Sequence, residues 1–368
     1  MDKIATQKFV LVGKKEIAET KDYIEINALD NTLIKILAVG ICGSDLHYFN
    51  FRKDERKLEQ IKKKHLVLGH EAAGRIISAL PEAAYPDGTK VLVGDLVAID
   101  PLSSCYDLGI PPCLACQNPA LGESYCFNSA FLGSTRDGAL HTYFSYSSKK
   151  LIKLAEDISP LEGALLEPLA IAAKIAKKEA NSNKKVVIIG DGSLGLLIGK
   201  MLSYYGSKDI TIFGINDAKL SFARTFARTI NLSETRGDWS GLGSLVIECV
   251  GGEHYPITIP LAIGSCIAGG KILLVGLSHL KPQIDLQEII KKGIFIEGAF
   301  RCSYQDMISA YRLFSDRKLR EEIRKIVDPE IYPLTLRGVQ EAFTSANNYS
   351  LLHGSKVVMM DPQLLPLG

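Results

Sequence analysis

No apolar run in this 368-residue sequence approaches the ~18 residues needed to cross a bilayer. Near the start, only Phe9-Val10-Leu11-Val12 precedes Gly13-Lys14-Lys15. That falls short of the ~7–15 apolar residues at the core of a secretory signal. Excess charge of one sign is also missing. Lys and Arg number 43 against 41 Asp and Glu, a formal net charge of +2. Such a balance gives no footing for nucleic acid or a membrane surface. Internal repeats and low-complexity linkers are absent. What these absences leave is a soluble protein, expected in the cytoplasm. There the eight cysteines read as metal ligands or buried thiols rather than disulfides.

What is present suits two domains. The length fits a prior of ~100–200 residues per domain, and 46% hydrophobic residues can fill two cores. Residues 1–155 read as strand and loop, with β-rich runs such as 33–39 punctuated by Gly, Pro and Asp. Residues 170–305 alternate strand-like runs (186–189, 210–213, 245–249, 272–275) with helical segments. That alternation predicts a parallel, doubly wound sheet. From about Met307 the tail reads as helical, then closes with a strand at 356–360. The charged stretch at 52–57 and 62–65 reads first as a solvated face, and second as a docking surface for an anionic substrate such as a sugar phosphate.

The run Val186-Val187-Ile188-Ile189 leads directly into Gly190-Asp191-Gly192-Ser193-Leu194-Gly195 and then an apolar helical stretch. Strand, tight turn and helix are the setting that gives Gly-x-Gly-x-x-Gly its meaning. Gly190 permits the turn, Gly192 lets backbone approach a pyrophosphate, and Gly195 lets helix and strand pack closely. The helix N-terminus then offers N–H groups and a positive dipole end to phosphate. The second strand should end in an acid that binds the adenosine ribose of NAD. Gly214 stands there instead, with Asn216, Lys219 and Arg224 downstream as possible donors. The expectation is NADP over NAD, unless Asp217 takes the acid's part.

Two clusters have the composition of metal sites. Cys42 and His70 suit a catalytic zinc, which takes three protein ligands and keeps one position open. The third ligand is Glu71 or Glu167. Cys105, Cys113, Cys116 and Cys126 follow a Cys-x7-Cys-x2-Cys-x9-Cys pattern, which suits a closed tetrahedral zinc of structural type. The lobe around them is turn-rich, and a metal would order it.

Gly-Ile-Cys-Gly-Ser-Asp-Leu-His at 40–47, Gly-His-Glu at 69–71, the four-cysteine lobe, Glu-Gly-Ala-Leu-Leu-Glu-Pro-Leu at 162–169 and the glycine turn occur in one order. In that order they resemble the zinc-containing medium-chain dehydrogenases. Stretches 246–251, 269–271 and 298–301 agree. Within that family the chain looks most like the polyol branch, that of sorbitol and galactitol-phosphate dehydrogenases. Glu167-Pro168, Phe300-Arg301 and the stretch 131–138 carry that likeness. The cysteine spacing, the long interval between Cys42 and His70 and the missing ribose acid depart from the usual pattern.

The resemblance implies an α/β fold. A GroES-like β-rich catalytic domain (1–169 and 308–368) would join a Rossmann domain (170–307) with a doubly wound parallel sheet. It further implies reversible oxidation of a secondary alcohol of a polyol, sugar alcohol or sugar-alcohol phosphate. Ser44 and His47 would relay the proton, Arg301 would lie near the substrate, and the assembly would be a homo-dimer or homo-tetramer. An aminocyclitol, amino alcohol or aldose is the alternative substrate. A non-catalytic cofactor sensor is the alternative of another class.

Overall fold

Val186 and Ile188 face one way, Val187 and Ile189 the other, and all four are buried. The strand Lys185–Ile189 is thus covered on both faces, as a central strand of a parallel sheet must be. The computed structural model describes residues 3–24, 31–51, 59, 65–348 and 354–365. The charged stretch at 52–57 and 62–64 lies outside them.

Among the described residues, one sheet has six parallel strands. Their order is Arg228–Asn231, Asp209–Gly214, Lys185–Ile189, Gly243–Glu248, Cys266–Leu274 and Phe295–Gly298. Numbered along the chain this is 3-2-1-4-5-6, the doubly wound dinucleotide-binding order. Its switch point lies between Lys185–Ile189 and Gly243–Glu248, where Ile189 pairs with Glu248.

A second sheet has seven strands among the described residues. Val327–Pro333, Lys356–Met360, Asn31–Gly40, Glu71–Ala79, Leu96–Ile99 and Leu151–Lys153 follow in order, with Tyr143–Ser147 pairing Asn31–Gly40 off that path. It is antiparallel except where Val327–Pro333 meets Lys356–Met360. The sheet therefore joins the beginning of the chain to its end. Its core packs Ile34, Ile36, Val39, Leu68, Phe49 and Phe343 together.

The helix Leu166–Glu179 spans the junction. Its buried Leu166, Leu169, Ala170, Ala173 and Ala176 share one core with Ala98 and Ile152 of the second sheet and with Val186 and Ile188 of the first. The expected boundaries after 169 and 307 fall inside this helix and inside Tyr304–Leu313. No helix among the described residues is long and apolar enough to cross a membrane.

Candidate active site

Strand register gathers the first cluster. Glu71 and Val358 both pair with Gly40, antiparallel to Asn31–Gly40. The end of Asn31–Gly40 therefore meets the starts of Glu71–Ala79 and Lys356–Met360. Cys42, His70, Glu71 and Lys356 collect at that corner. Ligand atoms of Cys42, His70 and Glu71 lie within 4.8 Å of one another.

Asp45 holds the corner in shape. Cys42 is the N-cap of the helix Gly43–Phe49, and its N–H donates to Asp45 Oδ2 at 3.0 Å. Asp45 Oδ1 accepts the Gly69 N–H at 3.3 Å and faces His70 Nδ1 at 3.4 Å. With Nδ1 turned to a carboxylate, Nε2 is the nitrogen left for a metal bond. Burial opposes the His70 imidazolium, but the Asp45 charge and hydrogen bond outweigh it and hold the ring well above its ordinary value.

Glu71 has a cation of its own. Lys356 Nζ donates to both of its carboxylate oxygens at 2.7 Å and to the Ile41 carbonyl at 3.2 Å. Both side chains are only 1% exposed. Glu167, in the first turn of Leu166–Glu179, is also buried. It does not join the close ligand group, but it senses His70, Glu71 and Lys356. Burial pushes its carboxyl up to about 7.

Arg301 forms one wall. Its guanidinium sits 4.5 Å from the Phe131 ring centre and 4.4 Å from that of Phe300, and donates to Ser129 Oγ at 2.7 Å. Phe131 lies 5.2 Å from the His70 ring. Burial lowers the Arg301 pKa, while Tyr48 and Glu167 favour its charge. Its backbone is left-handed, with φ of 49°, a conformation that costs a non-glycine residue about 1 kcal/mol. Ser303 caps the helix that follows, with Ser303 N–H on Asp306 Oδ2 at 2.8 Å. Tyr48 Oη and Ser134 Oγ share a 2.7 Å hydrogen bond. Phe131 and Ser134 thus bring the 131–138 stretch to the site.

Ser44 and His47 both lie half-buried on Gly43–Phe49. His47 Nε2 comes within 3.2 Å of where a Gly252 Cβ would be, so it meets the loop after the strand Gly243–Glu248. Glu248 organises that loop. Its Oε1 accepts the Val250 and Gly251 N–H groups at 3.0 Å and the Thr258 hydroxyl at 2.9 Å.

The second cluster is compact. The Cys105, Cys113, Cys116 and Cys126 sulfurs all lie within 4.8 Å of one another, and none is in a disulfide. Cys105 and Cys126 sulfurs are 3.5 Å apart, Cys113 and Cys126 sulfurs 4.0 Å. A tetrahedral zinc with bonds of about 2.3 Å would set its sulfurs about 3.8 Å apart. N–H groups also point at sulfur. The Cys116 and Phe127 N–H groups draw the Cys113 thiol down to about 6, and Asn128 Nδ2 donates to Cys105 at 3.4 Å. The altered spacing therefore still closes a four-thiol cage.

In the glycine turn, Gly190 has φ of 126°, and a Cβ on Gly195 would lie 2.3 Å from the Gly190 carbonyl oxygen. Gly192 caps the helix Ser193–Tyr204, which carries Ser193 and Leu194 in its first turn. The corner beside Gly214 differs from its expected form. The expectation of NADP requires an uncharged space there, but the Asp191 carboxylate occupies it. Two of the expected donors, Lys219 and Arg224, are also taken up elsewhere. The Asn216 side chain accepts from Lys219 N–H at 3.2 Å. Lys219 is 2% exposed. Arg224 pairs with Asp217 at 2.7 Å.

Sequence reasoning missed Asp45, Lys356, Tyr48 and Asp191. Asp45 had a local signal, an acid three residues after an N-cap. Lys356 had none, because only sheet register brings it to Glu71.

The dinucleotide-binding sheet order and the Cys42, His70 and Glu71 group together define a dehydrogenase, an oxidoreductase class. Residues 29–156 match the alcohol dehydrogenase GroES-like domain. Over 339 residues the chain is 30% identical to sorbitol dehydrogenase 2 of Saccharomyces cerevisiae, covering 88% of each. It therefore belongs to the medium-chain, zinc-type alcohol dehydrogenase family, in the polyol branch. It is also 31% identical over 315 residues to the D-xylulose reductase of the same yeast, covering 80% of this chain and 82% of that one. The structure of L-idonate 5-dehydrogenase from Escherichia coli superposes with a TM-score of 0.82 at 25% identity, over 98% of this chain and 99% of that one.

Proposed function

We propose that this enzyme interconverts a secondary alcohol of a polyol, sugar alcohol or sugar-alcohol phosphate and the corresponding ketone, using zinc and a nicotinamide dinucleotide. The observation that carries the reading is the gathering of Cys42, His70 and Glu71 within ligand reach, beside the helix Gly43–Phe49, whose His47 meets the loop at the sheet's switch point. Cys42, His70 and Glu71 would hold the ion, with Glu167 as the buried acid beside them. When bound, zinc supplies Lewis acidity that makes an alcohol hydroxyl easier to deprotonate. The four-cysteine cage would hold a second, structural ion.

The chain's own groups do the rest. Asp45 fixes the His70 ring, and Lys356 balances Glu71. Ser44 and His47 provide a hydroxyl and an imidazole along one helix to carry the proton away from the corner. Arg301, held by Ser129 and two rings, presents donors that suit a substrate with several hydroxyls. The glycine turn and the Ser193–Tyr204 N-terminus bind the pyrophosphate. The lobe formed by 1–169 with 308–368 and the lobe formed by 170–307 would enclose substrate and nicotinamide between them. Phe295, on the outermost strand of the parallel sheet, is exposed, as are Leu286 and Ile290 nearby. That apolar edge supports a homo-dimer.

The test is Cys42→Ser with polyols as substrates. Zinc content should fall from two ions per chain to one, and turnover should collapse. Full turnover by the variant would overturn the proposal.

A further inference from the structure

The corner beside Gly214 is where dinucleotide-binding sheets discriminate NAD from NADP. A side chain on residue 214 could not fit there. Its Cβ would lie 2.6 Å from both Cβ and Oδ2 of Asp191. Asp191 stands between the first two glycines of the turn, on the neighbouring strand's exit. Its Oδ2 accepts the N–H groups of Ile215 and Asn216, each at 2.8 Å. The carboxylate is therefore fixed in the place from which a strand-end acid would extend, and glycine at 214 is what admits it.

Carboxylates outnumber cations around the corner. The adjoining groove, about 600 Å³, is lined by Ile215, Asn216, Asp217, Asn231 and Glu234 among others. Glu234 and Asp217 are acids, the latter paired with Arg224, and Asp191, only 4% exposed, adds a third carboxylate. The cations are spent. Arg224 is held by Asp217, and Lys219 is sealed from solvent, where the charges of Asp191 and Asp328 act on it. A dianionic 2′-phosphate would meet carboxylates here, whereas ribose hydroxyls would find an acceptor.

We propose that Asp191 is the specificity-determining acid of this enzyme, moved from the second strand's end into the glycine turn, and that it selects NAD over NADP. The proposal rests on the dinucleotide reading above and goes beyond it. Replacing the carboxylate by an amide separates charge from scaffold, because Asp191→Asn can still accept from Ile215 and Asn216.

The experiment is fluorescence titration of the zinc-loaded protein with NADH and with NADPH, which needs no turnover. Wild type should bind NADH more tightly by about tenfold or more, and Asp191→Asn should shrink that ratio about tenfold with an unchanged melting temperature. Moving the acid back, with Asp191→Gly to clear the Cβ and Gly214→Asp together, should restore the NADH preference. If Asp191→Asn fails to fold, competition of 5′-AMP and adenosine 2′,5′-bisphosphate on the wild type decides, and 5′-AMP should win. Tighter binding of NADPH or of the bisphosphate by wild type would overturn the proposal. So would an unmoved ratio in a folded Asp191→Asn, which would make Asp191 a loop clamp only. Failure of wild type to bind either dinucleotide would instead sink the broader reading, and this one with it.

Discussion

The two thiol-bearing clusters are built in opposite ways. Cys42, His70 and Glu71 come from separate strand ends, and the sheet register places them whether or not a metal is there. The four cysteines of the lobe come from one continuous, turn-rich segment. Only the short helices Leu114–Gln117 and Glu123–Tyr125 and the two-residue strands Leu102–Ser103 and Ala130–Phe131 frame it. The first cluster is pre-organised by a buried core. The second has little core of its own, so a bound ion would be what orders it. Metal in the first cluster should therefore govern chemistry, and metal in the second should govern local structure.

The largest expected effect tests that division directly. Cys42→Ala should lower turnover on the order of 10³-fold, since the electrophile at the reacting oxygen is lost, while the melting temperature stays near that of wild type. Cys113→Ser should do the reverse. Hydrogen exchange across 105–126 should speed up and the segment should become open to protease, with zinc at Cys42 retained. If Cys113→Ser kept full protection of the lobe, the contrast would be wrong.

Next in size is the support beneath the first cluster. Lys356→Met removes the partner of a fully buried carboxylate. Breaking such a pair costs about 3–5 kcal/mol, readable by urea unfolding of metal-free protein. Adding Glu71→Gln should recover most of that loss, because no charge is then left stranded. A small loss in Lys356→Met would show that the corner is wetter than its burial implies. Asp45→Asn is milder. It keeps the shape of the side chain but weakens its hold on His70, and loss of such a metal-orienting carboxylate lowers zinc affinity about 10–100-fold. Competition with a chelator would measure this, and the lobe's zinc should be unaffected.

The same division explains how much could be read from the sequence. The glycine turn, the strands around it and the four-cysteine lobe are local patterns, and each has a short-range physical cause. Cys42, His70, Glu71 and Glu167 were legible as residue types suited to zinc, although nothing local says that Cys42 and His70 meet or which acid joins them. The Glu71–Lys356 pair was not legible, because it depends on the last strand returning beside the first sheet strand. The Gly214 corner was only partly legible, for a related reason. Reading along the second strand shows a missing acid, whereas the charge arrives from Asp191 on a neighbouring loop. Long-range placement, not residue chemistry, is what one-dimensional reasoning lacked.

Partnered and unpartnered burial can also be compared in two histidines, and the expected effect is the smallest. His70 has Asp45. His141 is buried against Phe144, with ring centres 5.2 Å apart, and neither ring nitrogen has a hydrogen-bond partner among the described residues. Burial, helped by the Lys8 charge, pushes its pKa down to about 3. The unfolded chain would titrate near the ordinary value of about 6.5. Between those two values the unfolded state binds the extra proton and the folded state does not. His141 should therefore add no pH dependence to stability above about pH 6.5, and should cost about 1.4 kcal/mol more for each pH unit below it. His141→Phe keeps a ring beside Phe144 and removes the proton site. Urea unfolding of both proteins at pH 7, 6, 5 and 4 gives the difference at each pH, in which acid effects common to both, metal loss included, cancel. The stability gap should widen in favour of His141→Phe as pH falls. A gap that stays constant would mean that His141 is protonated in the folded protein, and that its burial lacks the consequence drawn from it here.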